Sequence, residues 1–447
     1  MSQFITIQVG QCGNQIGSAF WPLALHEYGI QIKNRFVDLL KIQRDHIRNI
    51  DALWDGFYSF FHVPGNTDNL CFKTIAELNA AKVKARLSLK AVLIDMEDSV
   101  VARFQHGPLR ELFNRTCTVT NYPGSANNWA TGYYTHGTEY HDRIEEVIRQ
   151  SVELCDYLGG FLLLHSVAGG TGSGLGTATL KMLSDSYPHV DRLVSCIYPA
   201  GMEDVITGPY NTLLATRELI EHATCVFPAE NNALLKMCET QIRNSDNMDQ
   251  ANFNALCLPF QDMNSIIVNM LLHLTSGSRF PGNLNIDISD LATNLVPYKR
   301  MHYIFSNVRP IALTAPKFFA TNSSKLQDML FTNALSRNNQ LTKVHPLQPG
   351  SVVLSAAYIG RGQFSITGMK RNIERYNFVT ISLMFTNLIE QFTKLYRRKA
   401  HVHHYSQVSG FENSQFLDCK ETISNLCEHY MELQNQKQRH ISRMQTL

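Results

Sequence analysis

The sequence lacks the features that would direct a protein into a membrane, onto nucleic acid or out of the cell. Its 40 lysine and arginine residues nearly balance its 38 aspartate and glutamate residues, so no field of one sign attracts nucleic acid or an anionic membrane. No apolar run approaches the roughly 20 residues that span a bilayer. The start, MSQFITIQVG, lacks the basic flank and cleavage site of a secretory signal. We therefore expect a cytoplasmic protein with no membrane or nucleic-acid partner.

Metal-type cysteine pairs and the two commonest nucleotide motifs are also missing. The ten cysteines are scattered without a CxxC pair, which is typical of thiols in a reducing compartment, and we predict no disulfide. No GxxxxGK[ST] sequence is present, which excludes a P-loop. The dinucleotide signature GxGxxG fails because Leu175 stands where its third glycine would fall. A dinucleotide-dependent oxidoreductase is therefore suggested only by fold analogy.

Short apolar runs alternate with helical patterns in the first half of the chain. The runs are rich in Val, Ile, Leu and Phe, as expected of strands buried on both faces. They are FITIQV (4–9), AVLID (91–95), FLLLHSV (161–167), LVSCIY (193–198) and ATCVF (223–227). Helical segments such as 138–158 and 175–187 lie between them, which predicts a parallel sheet with right-handed crossovers. We predict an α/β fold whose first domain, residues 1–258, is a doubly wound parallel sheet that binds ligands beyond the carboxyl ends of its strands.

Three further units follow this domain. Residues 259–280 are predicted to form a central helix with one continuous apolar stripe. The stripe consists of Met263, Ile266, Ile267, Met270, Leu271 and Leu274. Residues 281–380 mix the strand patterns HYIFSNV and SVVLSAAYI with helices, which predicts a second, intermediate α+β domain. Residues 381–447 contain helical patterns at about 385–399 and 413–436, which we expect to pack as a C-terminal helical hairpin.

The strongest motif is the glycine-rich stretch AGGTGSG, residues 168–174, between the FLLLHSV strand and a helix. Because glycine has no Cβ atom, the backbone can approach phosphate oxygens and direct successive N–H groups at them. The N-terminus of the following helix adds partial positive charge. A flexible glycine turn is the alternative interpretation, but the position between strand and helix favours phosphate binding.

The glycine-rich loop resembles the signature of the tubulin family, and the resemblance extends over nearly the whole chain. It implies a GTP-binding domain that holds GTP or GDP together with Mg²⁺. The residues that match the family's phosphate loops are Gln11, Asn127, Ser166, Gly169, Gly170, Thr171 and Gly172, and Cys12 is expected to face the base. Asp95 and Glu97 match the acidic loop that holds magnesium through water. Ordinary surface acids are the alternative for these two residues.

The resemblance also implies which residues contact the base and the ribose. Asn231 and Asn264 match two asparagines whose amides donate and accept hydrogen bonds toward guanine. Phe260 replaces the family's stacking tyrosine and keeps an aromatic face, although a core position is the alternative. Gly208 replaces the acid that alpha and beta types direct at the ribose hydroxyls, so Asp204 is the remaining candidate for that contact.

An acidic residue matching Asp290 helps to activate the attacking water at the next subunit's nucleotide in tubulin filaments. The resemblance therefore makes Asp290 the candidate catalytic acid, acting on a neighbouring subunit. The family's hydrolysis-promoting subunits carry glutamate at this position, so the shorter side chain weakens the match. Capping of a helix N-terminus by Asp287 or Asp290 is the alternative. Whether the chain is an enzyme, a GTPase active only on assembly, stays open at this point.

Stretches such as NNWATG, GMKRNIERY and RRKAHVHHY resemble the epsilon type of the family more than the alpha or beta types. This resemblance implies a structural constituent of the microtubule cytoskeleton at centrioles, basal bodies or centrosomes. Its partners would be other tubulins, through longitudinal contacts, and centriolar or basal-body proteins. An assembly-dependent GTPase of the delta, alpha or beta type is the alternative.

The chain departs from the family pattern at two places besides Gly208. Ala168 replaces the first glycine of the phosphate loop. After Asn377 the chain passes into the C-terminal helices where family members carry several dozen more residues, so we expect either a shortened intermediate domain or an incomplete sequence at this point. His401, His403 and His404 suggest a metal site, but we favour a structural or interface role because no acidic or thiol ligand lies nearby in sequence.

Overall fold

The computed structural model describes most of the predicted domains. The described residues are 2–27, 30–33, 36–39, 56–62, 88–107, 109–110, 112–199, 205–244, 259–280, 286–298, 300–309, 324–343, 354–361, 366–374 and 382–444. Asp204, the predicted ribose contact, lies outside them, as do residues 375–381 at the predicted shortening.

The described strands and helices alternate through the first half of the chain. The strands are β1 (Gln3–Val9), β2 (Ile30–Lys33), β3 (Phe36–Leu39), β4 (Phe61–His62), β5 (Ser88–Leu89), β6 (Ala91–Asp95), β7 (Thr118–Thr120), β8 (Leu158–Ser166), β9 (Asp191–Tyr198) and β10 (Cys225–Glu230). The longer helices are α1 (Gly10–Glu27), α2 (Asp98–His106), α3 (His141–Glu153), α4 (Gly176–Ser186), α5 (Gly208–His222), α6 (Asn231–Asn244), α7 (Pro259–Leu274), α8 (Ile288–Leu295), α9 (Ser324–Ala334), α10 (Ile366–Glu374), α11 (Ser382–Tyr396) and α12 (Ser414–Met444). Wide π-helical turns, Thr131–His136 and Thr171–Leu175, precede α3 and α4. Within the described residues, no helix is both long and apolar enough to cross a bilayer.

Six strands form one sheet in the order β10-β9-β8-β1-β6-β7, and every neighbouring pair is parallel. The chain runs outward from β1 to β7 on one side and from β8 to β10 on the other. The strand order therefore reverses between β1 and β8, which opens a crevice at their carboxyl ends. The predicted α/β fold with a doubly wound parallel sheet is confirmed, and the short strand β7 is one that the sequence patterns did not reveal.

The sheet is covered on both faces, as the unbroken apolar runs predicted. Alternate residues of a strand point to opposite faces, so Phe4 of β1 belongs to one core and Ile5 to the other. The first core contains α1, α6 and α7. The second contains α3, α4, α5 and the two C-terminal helices. All six members of the predicted stripe on α7 are buried.

The intermediate domain joins the sheet at its β10 edge. Val226 of β10 accepts a hydrogen bond from the N–H of Ile304 at 2.8 Å and donates one to the carbonyl of His302 at 2.9 Å. Residues 302–304 thus run parallel to β10. The predicted strand HYIFSNV makes two isolated bridges, one here and one between Asn307 and Gln340. Residues 354–361 contain no strand.

The C-terminal helices α11 and α12 pack against each other and against α5. Helix α11 begins and ends three residues before its predicted bounds of 385–399. Helix α12 continues to Met444, beyond the end predicted at residue 436. The domain boundaries at 258, 280 and 380 stay predictions.

Candidate functional site

The carboxyl ends of β1 and β8 bring two predicted phosphate loops into contact. Gly10, which directly follows β1, has a φ of 71°, in the region that favours glycine. A Cβ atom on Gly10 would lie 2.9 Å from the backbone nitrogen of Gly172. No larger residue fits between the loops, and the contact lies at the switch point of the sheet.

A third loop, residues 125–129, closes over the glycine-rich loop. A Cβ atom on Gly170 would lie 2.7 Å from the backbone nitrogen of Asn128. The hydroxyls of Ser125 and Thr171 lie 3.1 Å apart. Asn127 is exposed and has a φ of 55°, a left-handed conformation that asparagine tolerates better than most residues. The structure therefore brings the predicted residues Asn127, Gly170 and Thr171 together.

Ser166 stands at the end of β8, beneath the glycine-rich loop. Its hydroxyl oxygen would lie 2.9 Å from a Cβ atom on Gly172 and 3.7 Å from one on Gly169. Ser173 turns inward and donates hydrogen bonds to the carbonyls of Gly169 and Gly170. The loop is thus held from inside, and its outer side is left to a ligand.

The first turn of α1 adds Gln11 and Cys12 to the same edge. Asn14 fixes this turn, because its Nδ2 donates to the carbonyls of Gly10 at 3.0 Å and of Ile94 at 3.2 Å. Gln11 is exposed and Cys12 is half-buried. Burial raises the pKa of the Cys12 thiol to about 12, so the thiol stays protonated at neutral pH and acts as a small apolar contact.

Asp95 ends β6 and Glu97 follows it at this edge, and the two acids differ in exposure. Glu97 is exposed, whereas Asp95 is 3% exposed. Among the described residues no group donates to Oδ2 of Asp95, and burial raises the pKa of this carboxyl to about 7. A buried carboxylate oxygen without a donor fits a site for a cation, although the backbone N–H groups of Met96 and Glu97 also donate to this carboxyl. In the described part of the chain, no three His, Cys, Asp or Glu side chains are grouped to hold a metal ion unaided.

The predicted base contacts Asn231, Phe260 and Asn264 lie near the starts of α6 and α7. Helices α1 and α7 pack together, and Glu27 at the end of α1 contacts Arg279, which follows α7, at 2.6 Å. Phe260, in the first turn of α7, is 67% exposed, which is against its core alternative. Asn231 follows β10 at the carboxyl edge of the sheet and is half-buried.

Asp290 lies at the opposite, amino edge of the sheet. Ser289 donates to the carbonyl of Gly159, at the start of β8, at 3.1 Å. The capping alternative is realised, because Asp287 caps α8 and the carboxylate of Asp290 accepts from the backbone N–H of Asp287 at 3.1 Å. Asp290 remains exposed. The length of β8, about 30 Å, prevents Asp290 from reaching a ligand bound by its own chain.

Sequence reasoning missed Asn211, which joins the loops. Asn211 is fully buried, and its Nδ2 donates to the carbonyls of Asn127 at 2.8 Å and of Ala168 at 2.7 Å. Its Oδ1 accepts from the backbone N–H of Trp129 at 2.9 Å and from the Tyr405 hydroxyl at 2.6 Å. The only available signal was an asparagine one turn into α5, which the sequence does not distinguish from a surface residue.

Comparisons with known proteins agree with this geometry. Residues 3–239 match the model of the Tubulin/FtsZ family, GTPase domain. The chain is 36% identical to the tubulin epsilon chain of Mus musculus, over 97% of this chain and 96% of the mouse protein. The epsilon chain of Homo sapiens shows the same identity and coverage. A tubulin beta chain of Encephalitozoon cuniculi is 28% identical over 97% of both chains. The chain therefore belongs to the tubulin family, with the family's GTPase domain in its first half.

Proposed function

We propose that this chain binds GTP or GDP with Mg²⁺ at the carboxyl edge of its sheet and assembles with other tubulins at centrioles, basal bodies or centrosomes. The meeting of three loops around Gly170 and Gly172 carries the nucleotide part of the proposal. Their backbone N–H groups and the N-terminus of the following helix form a site suited to phosphates. Asp95 and Glu97 would hold Mg²⁺, which supplies positive charge against the phosphate oxygens.

The distribution of exposed apolar side chains supports assembly through the two edges of the sheet. Leu154, Tyr157, Ile286 and Tyr298 are between 42% and 65% exposed and belong to segments at the amino edge. Ile206 and Tyr122 are 64% and 61% exposed and lie at the carboxyl edge. Exposed apolar groups at two opposite ends favour head-to-tail contacts.

The nucleotide part is tested by identifying the nucleotide released when the purified protein is denatured after isolation with magnesium. GTP or GDP at nearly one per chain is expected. Thr171→Val removes the hydroxyl beside Ser125 and should lower the nucleotide content. Thr179→Val removes a buried hydroxyl that bonds to the carbonyl of Leu175 at 2.8 Å inside α4, and it should leave the content unchanged. A folded protein that never carries guanine nucleotide would refute the proposal.

The assembly part is tested by co-sedimentation with tubulin polymers and by localisation in cells. Tyr157→Lys places a charge on the exposed amino edge and should reduce co-assembly without changing nucleotide content. Leu417→Lys changes an apolar residue on α12 that is 53% exposed, compared with 65% for Tyr157, and serves as the control. Loss of centriolar or basal-body localisation with Tyr157→Lys alone would support longitudinal contacts, whereas equal behaviour of the two variants would contradict them.

A second candidate function is an assembly-dependent GTPase in which Asp290 acts on the neighbouring subunit's nucleotide. The position of Asp290 at the edge opposite the nucleotide site favours this function, since head-to-tail stacking would bring it to the next site. Its role in capping α8 leaves the carboxylate exposed and is compatible with the proposal.

A further inference from the structure

Hydrogen bonds attach the C-terminal region to α5 and to the 125–129 loop. The hydroxyl of Tyr210 donates to the carbonyl of Ala400 at 2.7 Å. Nδ2 of Asn128 donates to the carbonyl of His404 at 2.9 Å. Tyr405, which is fully buried, donates to Asn211. These three bonds hold residues 400–405 against α5 and the 125–129 loop.

Asn211 is the point at which the three parts meet. Its amide can donate two hydrogen bonds and accept two, and all four are made: to Asn127, Ala168, Trp129 and Tyr405. A fully satisfied buried amide fixes the positions of its partners, because losing one bond leaves a buried polar group unpaired. The conformations of Asn127 and of the glycine-rich loop therefore depend on Asn211.

The segment attached through Tyr405 is exposed and basic. Residues 397–404, here the basic segment, read RRKAHVHH, and Arg397, Arg398, Lys399 and His404 are exposed. Lys399 and His401 have φ values of 48° and 60°, which non-glycine residues adopt only when surrounding contacts impose them. The bonds of Ala400 and Tyr405 to α5 and of His404 to Asn128 supply such contacts.

We propose that Asn211 is a positioning residue of the nucleotide site and that Tyr405 couples this site to the basic segment. The inference rests on the proposed nucleotide binding. A nucleotide that orders the loops through Asn127 and Ala168 also orders the basic segment through Asn211 and Tyr405. Nucleotide binding therefore changes the affinity of the basic segment for a partner with an acidic surface. By linkage, that partner changes the affinity for nucleotide by the same factor.

Matched tyrosine variants test the coupling. Tyr405→Phe removes one donor to Asn211 and keeps the ring, so dissociation of radiolabelled GDP should become about two- to tenfold faster. Tyr430→Phe is the control, because in the described part of the chain the buried hydroxyl of Tyr430 has no hydrogen-bond partner. Asn211→Asp turns an oxygen toward the carbonyls of Asn127 and Ala168 and should accelerate dissociation more than tenfold.

Hydrogen exchange of residues 397–406 provides a readout that a purely structural role would not change. In the wild type, exchange should slow when GDP is added to nucleotide-free protein, and this response should be lost in Tyr405→Phe but kept in Tyr430→Phe. Equal dissociation rates for the two tyrosine variants, or exchange that ignores GDP in the wild type, would overturn the coupling alone. A wild type that binds no guanine nucleotide would overturn the proposed function and this inference together.

Discussion

The Cβ atom of Ala168 lies 4.0 Å from the position that a Cβ atom on Gly208 would occupy. Two residues that depart from the family pattern therefore face each other at the edge of the proposed nucleotide site. Apart from the glycine's chain neighbours and its own helix, no other described atom lies within 4 Å of that position, so the described residues leave space for a longer side chain.

Gly208→Glu should tighten GTP binding. The resemblance places an acid here toward the ribose hydroxyls, and a hydrogen bond to a charged group contributes enough for about tenfold in affinity. The carboxylate would also stand in the first turn of α5, where negative charge is favourable. Dissociation constants for GTP and for an analogue without ribose hydroxyls distinguish a hydrogen bond to the ribose from the effect of the charge on α5. Gly208→Gln is the uncharged control, and an equal gain for both nucleotides would rule out a ribose contact.

Asp95 should make magnesium binding depend on pH. Burial raises the pKa of its carboxyl from 3.8 to about 7, so in the cation-free folded state ionisation is disfavoured and stability is lost as pH rises from about 4 through 7. Magnesium should restore this stability, and its effect on the melting temperature should be larger at pH 8 than at pH 6. Asp95→Asn should remove both the pH dependence and the magnesium effect. Asp142→Asn, at a fully exposed side chain of α3, should change neither.

Changes at Asp290 should alter nucleotide turnover in co-assembly and leave nucleotide content unchanged. Asp290→Asn removes the candidate acid and should lower phosphate release by about a hundredfold or more. Asp290→Glu extends the carboxylate by about 1 Å and should raise the rate of phosphate release. Glutamate should also keep the cap of α8, because it is favoured at the third helical position. Thermal unfolding of each variant separates loss of the cap from loss of catalysis. Turnover unaffected by Asp290→Asn would limit this residue to capping.

The sequence predicted the sheet better than the connections between its loops. AVLID was predicted with the bounds of β6, because a run buried on both faces is unbroken in sequence. The strand ATCVF was placed too early, because β10 runs from Cys225 to Glu230. It includes Pro228, which has no N–H donor and is accommodated in the outermost strand of the six-stranded sheet. The glycine-rich loop was recognisable because close backbone approach needs glycine. Asn211 was not, since its role depends on four partners far apart in the chain.

The ion pair between Glu27 and Arg279 offers a test of how the central helix is attached to α1. Arg279 is fully buried and Glu27 is 3% exposed in its side chain, and Arg361 of the intermediate domain lies 2.7 Å from the second carboxylate oxygen. Although burial acts to raise it, Arg279 and Arg361 hold the pKa of Glu27 below its ordinary value. Stability from this pair is therefore present above the unfolded pKa near 4.5 and is lost as pH falls through the folded value.

Glu27→Gln should lower the free energy of unfolding by about 3 kcal/mol, because it leaves buried guanidinium charge uncompensated. Glu27→Leu combined with Arg279→Met should cost less than Glu27→Leu alone, since the double change also removes the buried guanidinium charge. Urea unfolding at pH 7.5 measures these differences. Glu146→Gln breaks the exposed pair with Arg149 and should leave stability nearly unchanged. If Glu27→Gln were equally mild, water would have to reach the guanidinium of Arg279, and the packing of α1 against α7 would be looser than the structure describes.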